Sequence, residues 1–359
     1  MMQQPSKRKC SENTGLEDST LHNSQDSSRV KIPSFAHLNT LVKKEIEKSS
    51  WWELYGFDIA ITGVAIALLP LGYILLGQGS TLLFIVGFFI VGYVHSLLTV
   101  KVAHAAVHNA FMGSSPFWNK IISVFCIEFW GGLTERGTQE AHIKYHHPYT
   151  NVISLGDSSS WKVPVLDRYT YLFFAPILLP LIYPLVTIDL LGKRWLDIAR
   201  VFFLSMIGYC LQLWLFLNLS GLSFGAALLC VIFVRSVYSI PYIHVNVFQH
   251  IGLPMYDPNK KPSNRLLQMA TSVLNLPRNP FLDYNFGHSI VSCHVEHHLF
   301  PRLSDNMCLK VKPLVSQYLK SHGLPYNEDT YQSRLKMFFN QYEELMVQAP
   351  PITELVGIQ

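Results

Sequence analysis

Three short histidine clusters are the parts of this 359-residue sequence best suited to chemistry. On an α-helix, residues three or four positions apart share a face, so each cluster can present at least two imidazoles in one direction. Clustered neutral imidazoles favour iron, zinc, copper or nickel over magnesium or calcium. Because the eight histidines exceed the coordination sphere of one ion, the pattern predicts two metal ions. The clusters are His104-Ala-Ala-Val-His108, His142-Ile-Lys-Tyr-His146-His147 and His294-Val-Glu-His297-His298.

Three further residues are candidates for the same site. Asn246 and His250 lie four positions apart, on one helical face, after an apolar stretch. His250 could be a ninth ligand, and Asn246 could contact a metal through a water molecule. His288, which precedes the third cluster by six residues, is off the face that the cluster shares and is the alternative ninth ligand. Six carboxylates are candidates to hydrogen-bond the ligand histidines, or else are ordinary surface and capping groups: Glu135, Glu140, Asp157, Asp283, Glu296 and Asp305.

Long uncharged stretches must position these clusters. Only 14% of the residues are charged, against about 25% in soluble domains. No Asp, Glu, Lys or Arg occurs in 59–100 or in 201–234. A spanning helix needs about 20 apolar residues, so these stretches and their flanks predict four spans, near 58–76, 82–100, 201–219 and 223–242. The sequence predicts an all-α integral membrane protein, with a membrane domain over 51–326 and a cytosolic helical cap that holds the histidines.

The distribution of lysine and arginine predicts the orientation in the membrane. Basic residues are frequent before the first span and at 192–200, whereas the hairpins at 77–80 and 220–223 carry none. By the positive-inside rule the hairpins are lumenal, and the three histidine clusters and both termini are cytosolic. This orientation requires 169–191 to lie at the interface or to enter the membrane without crossing it. That segment is apolar but carries three prolines, which fit a broken helix.

The two ends of the chain carry less information. Residues 1–50 are polar and are expected to form a disordered cytosolic tail with an amphipathic end. No cleavable signal peptide is visible, and 327–359 is expected to be a cytosolic C-terminal segment. The net charge of +4 is too small to indicate nucleic-acid binding.

The three clusters resemble the HxxxH, HxxxHH and HxxHH boxes of the histidine-box membrane fatty acid desaturases. The flanking runs His146-His-Pro-Tyr-Thr-Asn151 and His294-Val-Glu-His-His-Leu-Phe-Pro301 strengthen this resemblance, which extends from Trp51 to Tyr326. It implies a non-haem enzyme of the endoplasmic reticulum with two iron ions, which removes two hydrogens from the acyl chain of a lipid or an acyl-CoA. It also implies that O2 is consumed and that cytochrome b5, with its NADH-dependent reductase, supplies two electrons.

Front-end members of that family begin their third box with Gln and carry an N-terminal cytochrome b5 domain. This sequence has His294 instead and lacks the His-Pro-Gly-Gly haem motif, which implies a separate electron donor. Three other functions stay open. The same scaffold could support an acyl-chain hydroxylase or a pseudoenzyme, although all eight box histidines argue against the latter. A histidine-rich divalent-metal transporter would need polar ligands near the bilayer midplane, where the predicted spans offer only His95.

Basic residues flank the histidine boxes. They could meet an acidic electron donor on the cytosolic face, which would mainly raise the association rate. The alternative is that they hold this face against anionic lipid. These residues are Lys101, Lys120, Arg136, Lys144, Lys162, Arg168, Arg302, Lys310 and Lys312.

Overall fold

The computed structural model describes residues 33–113, 115–153, 155–156 and 166–347. The predicted tail before residue 33, Asp157, Lys162 and the chain after residue 347 lie outside these residues. The described part is mostly helical, as the sequence predicts. Its α-helices are α1 (Phe35–Glu47), α2 (Phe57–Leu76), α3 (Thr81–Ser96), α4 (Ala103–Val107), α5 (Pro116–Val124), α6 (Glu135–Gln139), α7 (Leu179–Leu191), α8 (Trp195–Asn218), α9 (Phe224–Ser236), α10 (Ser239–Phe248), α11 (Arg265–Ser272), α12 (Pro280–Phe286), α13 (His294–Leu299), α14 (Asp305–Ser321), α15 (Tyr331–Asn340) and α16 (Tyr342–Val347).

Several helices are extended or joined by wider or tighter helical turns. A 3-10 turn, Ala175–Leu178, precedes α7. Two short strands, β1 (Leu274–Asn275) and β2 (Asn327–Glu328), pair in parallel. The π-helical segments are Trp52–Gly56, Leu97–Val102, Phe125–Gly131, Glu140–His146 and Thr170–Phe174.

Five helices of the described chain are long and apolar enough to cross a membrane. The predicted count of four spans is therefore not confirmed, because Thr170–Leu191 joins the predicted set as a fifth continuous helix. Pro176 and Pro180 occupy first turns, where the missing N–H would lack a helical partner, and Pro184 lies inside α7 without ending it. The five helices are Trp52–Leu76, Thr81–Val107, Thr170–Leu191, Trp195–Asn218 and Phe224–Phe248.

Small residues let the apolar helices approach one another closely, as is usual between membrane helices. A Cβ atom at Gly208 would collide with the carbonyl oxygen of Phe129, so α8 contacts the segment Phe125–Gly131 directly. A Cβ at Gly77 would collide with the carbonyl oxygen of Ser220. The two uncharged hairpins therefore lie side by side.

We call the helices of the described chain that lie outside the five apolar helices the cap: α1, α5, α6 and α11 to α16. One of its cores joins α1, α11, α13 and α14 through Leu38, Leu266, Val295 and Val315. The segment predicted to be the amphipathic end of the tail is thus packed into this core. Tyr318 strengthens the packing, since its hydroxyl donates to the carbonyl of Ser34 at 3.2 Å.

Candidate metal centre

The clustered histidines converge on two buried groups, in which the ligand nitrogens lie within 4.8 Å of one another. This spacing is small enough for each group to bind one metal ion. The first set is His104, His108, His142 and His297, and the second set is His146, His250, His294 and His298.

The first cluster lies at the end of the apolar helix Thr81–Val107. The π-helical segment Leu97–Val102 leads into α4, which carries His104, and His108 is the residue that caps α4. Both rings join the first set, as their spacing of four predicts. Their Nε2 atoms lie 3.1 and 2.8 Å from Nε2 of His142.

The second cluster departs from the predicted helical geometry. It lies in a π-helical turn, where the amide of His147 donates to the carbonyl of His142, five residues earlier, at 3.1 Å. Residues five apart therefore share a face. Nε2 of His147 lies 3.1 Å from that of His108 and 3.2 Å from that of His142, so His147 adjoins the first set. His146 belongs to the second set, although its ring stacks on that of His142 with centroids 5.4 Å apart.

The third cluster connects the two sets through the single helix α13. His294 and His298 lie four apart and face the second set, with 3.1 Å between their Nε2 atoms. His297 faces the first set, where its ring centroid lies 4.6 Å from that of His108. One rigid helix thus fixes the separation of the two sets.

The three additional candidates have different positions. His250 follows α10 and belongs to the second set, with its Nε2 2.9 Å from that of His294. Asn246 lies one turn earlier, outside both sets, and is buried beside an apolar cavity. His288 also lies outside both sets, with Nδ1 3.5 Å from a carboxylate oxygen of Asp283.

Each ring of the second set is oriented through its other nitrogen. Nδ1 of His250 donates to the carbonyl of Ser272 at 3.1 Å, and Nδ1 of His294 to that of Ser289 at 2.9 Å. Nδ1 of His298 contacts the Thr150 hydroxyl at 3.1 Å. Hydrogen bonds of this kind keep the proton on Nδ1 and leave the Nε2 lone pair for a metal. The sequence did not indicate these partners, since any residue can supply a backbone carbonyl.

Burial keeps these imidazoles neutral. It lowers the pKa of His146 to about 4 and that of His294 to about 3. It also lowers the pKa values of His250 and His298 well below their usual range, and neighbouring imidazoles add to this effect. Converging neutral nitrogen lone pairs repel one another unless a cation lies between them. This donor set fits iron, zinc, copper or nickel.

The candidate carboxylates do not hydrogen-bond the histidines of either set in the described part of the chain. Glu135 and Glu140 form ion pairs with Lys120 and with Arg194. Glu296 accepts from Tyr326 at 2.7 Å and from the Asn275 side chain at 3.0 Å. Five of the six predictions therefore lack a direct contact, and Asp157 lies outside the described residues.

Asp305 acts on the second set through one intermediate residue. Its carboxylate accepts the backbone N–H of Ser289 at 2.7 Å, and the Ser289 carbonyl in turn accepts Nδ1–H of His294. Lys101 pairs with Asp305 at 2.7 Å and with Asp58 at 3.3 Å. Burial alone would raise the pKa of Asp305, but the Lys101 ammonium lowers it below its usual range. Because Lys101 is buried, its predicted role in docking a partner is wrong.

A cavity leads from the metal centre into the apolar helices. His104, His142 and Asn246 line it beside the first set. Val100, Leu179 and Ile243 are among the apolar residues that line it elsewhere. Such a narrow apolar space beside a metal centre suits a hydrocarbon chain.

Comparison with known proteins agrees with this geometry. Residues 80–330 match the family described as Fatty acid desaturase. The chain is 51% identical over 324 residues to Fatty acid desaturase 6 of Bos taurus, covering 90% of this chain and 94% of that protein. It is 50% identical over 323 residues to Fatty acid desaturase 6 of Homo sapiens, covering 89% and 90%. The protein of the same name from Mus musculus is 49% identical over 324 residues, covering 90% and 94%.

The apolar helices and the low charge are those of a multi-pass membrane protein, and the two histidine sets are those of a metal-dependent oxidoreductase. The chain belongs to the fatty acid desaturase family. This membership supports acyl-chain desaturation. It favours an enzyme over the metal transporter that the sequence left open.

Proposed function

We propose that this protein is an O2-dependent fatty acyl desaturase that holds two iron ions. The first set together with His147 would bind one ion, and the second set would bind the other. The observation that carries the proposal is the convergence of eight buried imidazoles in two groups, each with its ligand nitrogens within 4.8 Å of one another, at the end of an apolar cavity. His147 adjoins the first group. Asn246, which lines the cavity with His104 and His142 and lies one helical turn before His250, would contact a metal ion through a water.

An unactivated C–H bond cannot be broken by side-chain acids or bases alone. Bound iron would supply the reductive activation of O2 that this reaction needs. The protein supplies orientation: backbone carbonyls fix the second-set rings, and α13 fixes the spacing of the sets. The apolar cavity would exclude water and hold one methylene pair of the chain beside the first set.

The direct test is reconstitution in nanodiscs. The iron-loaded protein, supplied with acyl-CoA or phospholipid, NADH, cytochrome b5 and its reductase, should form a product two mass units lighter, with a new double bond. A product sixteen mass units heavier would instead identify a hydroxylase. No product of either kind, with two irons bound and every donor present, would contradict the proposal.

The histidine contacts support the predicted orientation. His146 and His250 contact each other with ring centroids 5.0 Å apart, so their backbones lie on one side of the membrane. Three apolar helices separate them in sequence, and an even number of crossings must connect them. We assign the two crossings to α8 and α9. The hairpin between them contacts Gly77 of the hairpin between α2 and α3, so both hairpins lie on the same side of the membrane. The helix Thr170–Leu191 would then lie along the interface without crossing.

Contacts at both ends of Thr170–Leu191 support the same assignment. Near its start, the Leu172 carbonyl accepts from Nε2 of His244 at 3.0 Å, and the Tyr171 ring lies 5.6 Å from that of Phe338 in the cap. Near its end, a Cβ at Gly137 in the cap would meet the Leu190 side chain at 2.9 Å.

Protease accessibility tests this orientation. A cleavage site inserted at 192–194, between α7 and α8, should be cut from the cytosolic side of sealed microsomes. One inserted at 78–80 should be protected until the membrane is opened, because that hairpin is lumenal. Protection of both sites would mean that Thr170–Leu191 crosses the bilayer.

We also propose residence in the endoplasmic reticulum and electron delivery by cytochrome b5 and its NADH-dependent reductase. The structure narrows the docking surface. Most basic residues that the sequence suggested already pair with carboxylates: Lys120, Arg136, Lys144, Arg168, Lys310 and Lys312. Arg302, four residues after His298, is exposed. Among the suggested residues that the structure describes, it is therefore the cation most available to an acidic partner.

Charge reversal at Arg302 tests this surface. The Arg302→Glu variant should raise the cytochrome b5 concentration that gives half-maximal turnover by about tenfold at low salt, and the difference should shrink as salt rises. The exposed Lys336 on α15 offers a matched reversal that should have little effect. An equal response of the two variants would contradict docking at Arg302.

A further inference from the structure

The cavity that we assign to the acyl chain contains an unusual pair of polar residues. Arg235 and His95 both line it, and both are only 6% exposed. His95 lies nine residues before His104 along one membrane helix. At the rise of a helix, this separation corresponds to about 13 Å from the metal centre. The pair therefore lies deep among the membrane helices, away from the histidine sets.

Arg235 is held firmly in this position. Its guanidinium donates to the carbonyls of Gly131 and Trp130 at 2.9 Å each, and to the Gln212 side chain at 3.0 Å. The group also stacks on the Tyr209 ring, 4.0 Å from its centroid. These contacts prevent the Arg235 side chain from adopting another rotamer that would leave room for more of a hydrocarbon chain.

The same end of the cavity is poorly suited to a methyl group. Nε of Arg235 and Nδ1 of His95 are buried and have no hydrogen-bond partner among the described residues. By contrast, the hydroxyls of Ser96, Thr99 and Ser239, which line the cavity too, are already bonded within the protein. Hydrocarbon pressed against the two unpaired nitrogens would bar them from any polar partner, which is unfavourable.

We propose that Arg235 and His95 form the polar end of the acyl cavity and limit how many carbons can extend beyond the metal centre. This inference rests on the proposed desaturase function and adds a determinant of chain length to it. The nearer residue Thr99 lies one helical turn closer to His104 than His95 does. Substitutions at the two positions should therefore change the permitted length in opposite directions.

The test supplies the wild-type protein and its variants with saturated acyl substrates that differ by two carbons, and measures double-bond products by mass spectrometry. His95→Ala should lengthen the cavity and raise the product ratio of long to short chains at least fivefold. Thr99→Phe should fill the cavity earlier and lower that ratio at least fivefold. Thr187→Val, at a buried position of α7 that does not line the cavity, is the matched control and should leave the ratio unchanged.

Arg235→Met is the more drastic variant, and its loss of four contacts could prevent folding, so the proposal is judged on His95 and Thr99. An unchanged length profile in both variants, with turnover retained, would overturn it. A wild-type preference for a chain with a terminal hydroxyl over an alkyl chain of equal length would also overturn it, because the pair would then be a binding site for a polar chain end. Absence of product at every length in the wild type would instead count against the desaturase function itself.

Discussion

The His298→Ala variant is expected to lose desaturation by more than about 100-fold and to retain about one iron per chain, because a ligand of the second set is removed while the first set is intact. His297→Ala should give a similar loss through the first set. The two alanine variants remove different ions, so each should keep the ion that the other loses. Iron content by elemental analysis, measured beside turnover in nanodiscs, checks this expectation.

His288 provides the matched control for these variants. It is a buried histidine close to the third cluster but outside both sets, and it lies against Asp283 and Tyr284. His288→Gln should therefore keep two irons per chain. Loss of an iron from His288→Gln, or full iron content in His298→Ala, would show that the assignment of ligands to the two sets is wrong.

The sequence predicted the eight box histidines as a group more accurately than their division between two sites. Spacing of four placed His104 with His108 correctly, because both belong to a regular helical stretch. The same spacing also brings the rings of His142 and His146 together, with centroids 5.4 Å apart, but the two residues belong to different sets. The rule did not indicate this division, because it assumes 3.6 residues per turn, whereas the turn that holds them is π-helical. A π-turn has no residue signature of its own, so the shift from four to five becomes visible only in the backbone hydrogen bonds.

The supporting contacts were harder to predict for a related reason. The sequence analysis looked for carboxylates, since these are recognisable by residue type, but the second-set rings bond mainly to backbone and to Thr150. Lys101 shows the same limit. It ends an apolar stretch and suggested a surface position, but its partner Asp305 lies 204 positions away. Only the packing of α14 against the membrane helices makes that pair possible.

That pairing leads to a second large expected effect. Lys101→Met should reduce the free energy of unfolding by about 3–5 kcal/mol, the usual cost of leaving buried charge without its partner. Here two carboxylates, Asp58 and Asp305, would lose a shared ammonium in a site where all three side chains are at most 5% exposed. Chemical or thermal unfolding of the protein in nanodiscs measures the loss.

The contacts of Asp305 add an effect that general destabilisation would not give. Without Lys101, repulsion between the two carboxylates should displace Asp305 from the Ser289 amide, and the Ser289 carbonyl would no longer hold Nδ1 of His294. Folded Lys101→Met protein should therefore bind the second-set iron about 10–100-fold more weakly. The triple variant Lys101→Met, Asp58→Asn, Asp305→Asn removes the unpaired charges while keeping an amide oxygen for Ser289, and it should recover most of the stability and the iron. Recovery of stability without recovery of iron would show that the carboxylate of Asp305, and not only its shape, positions His294.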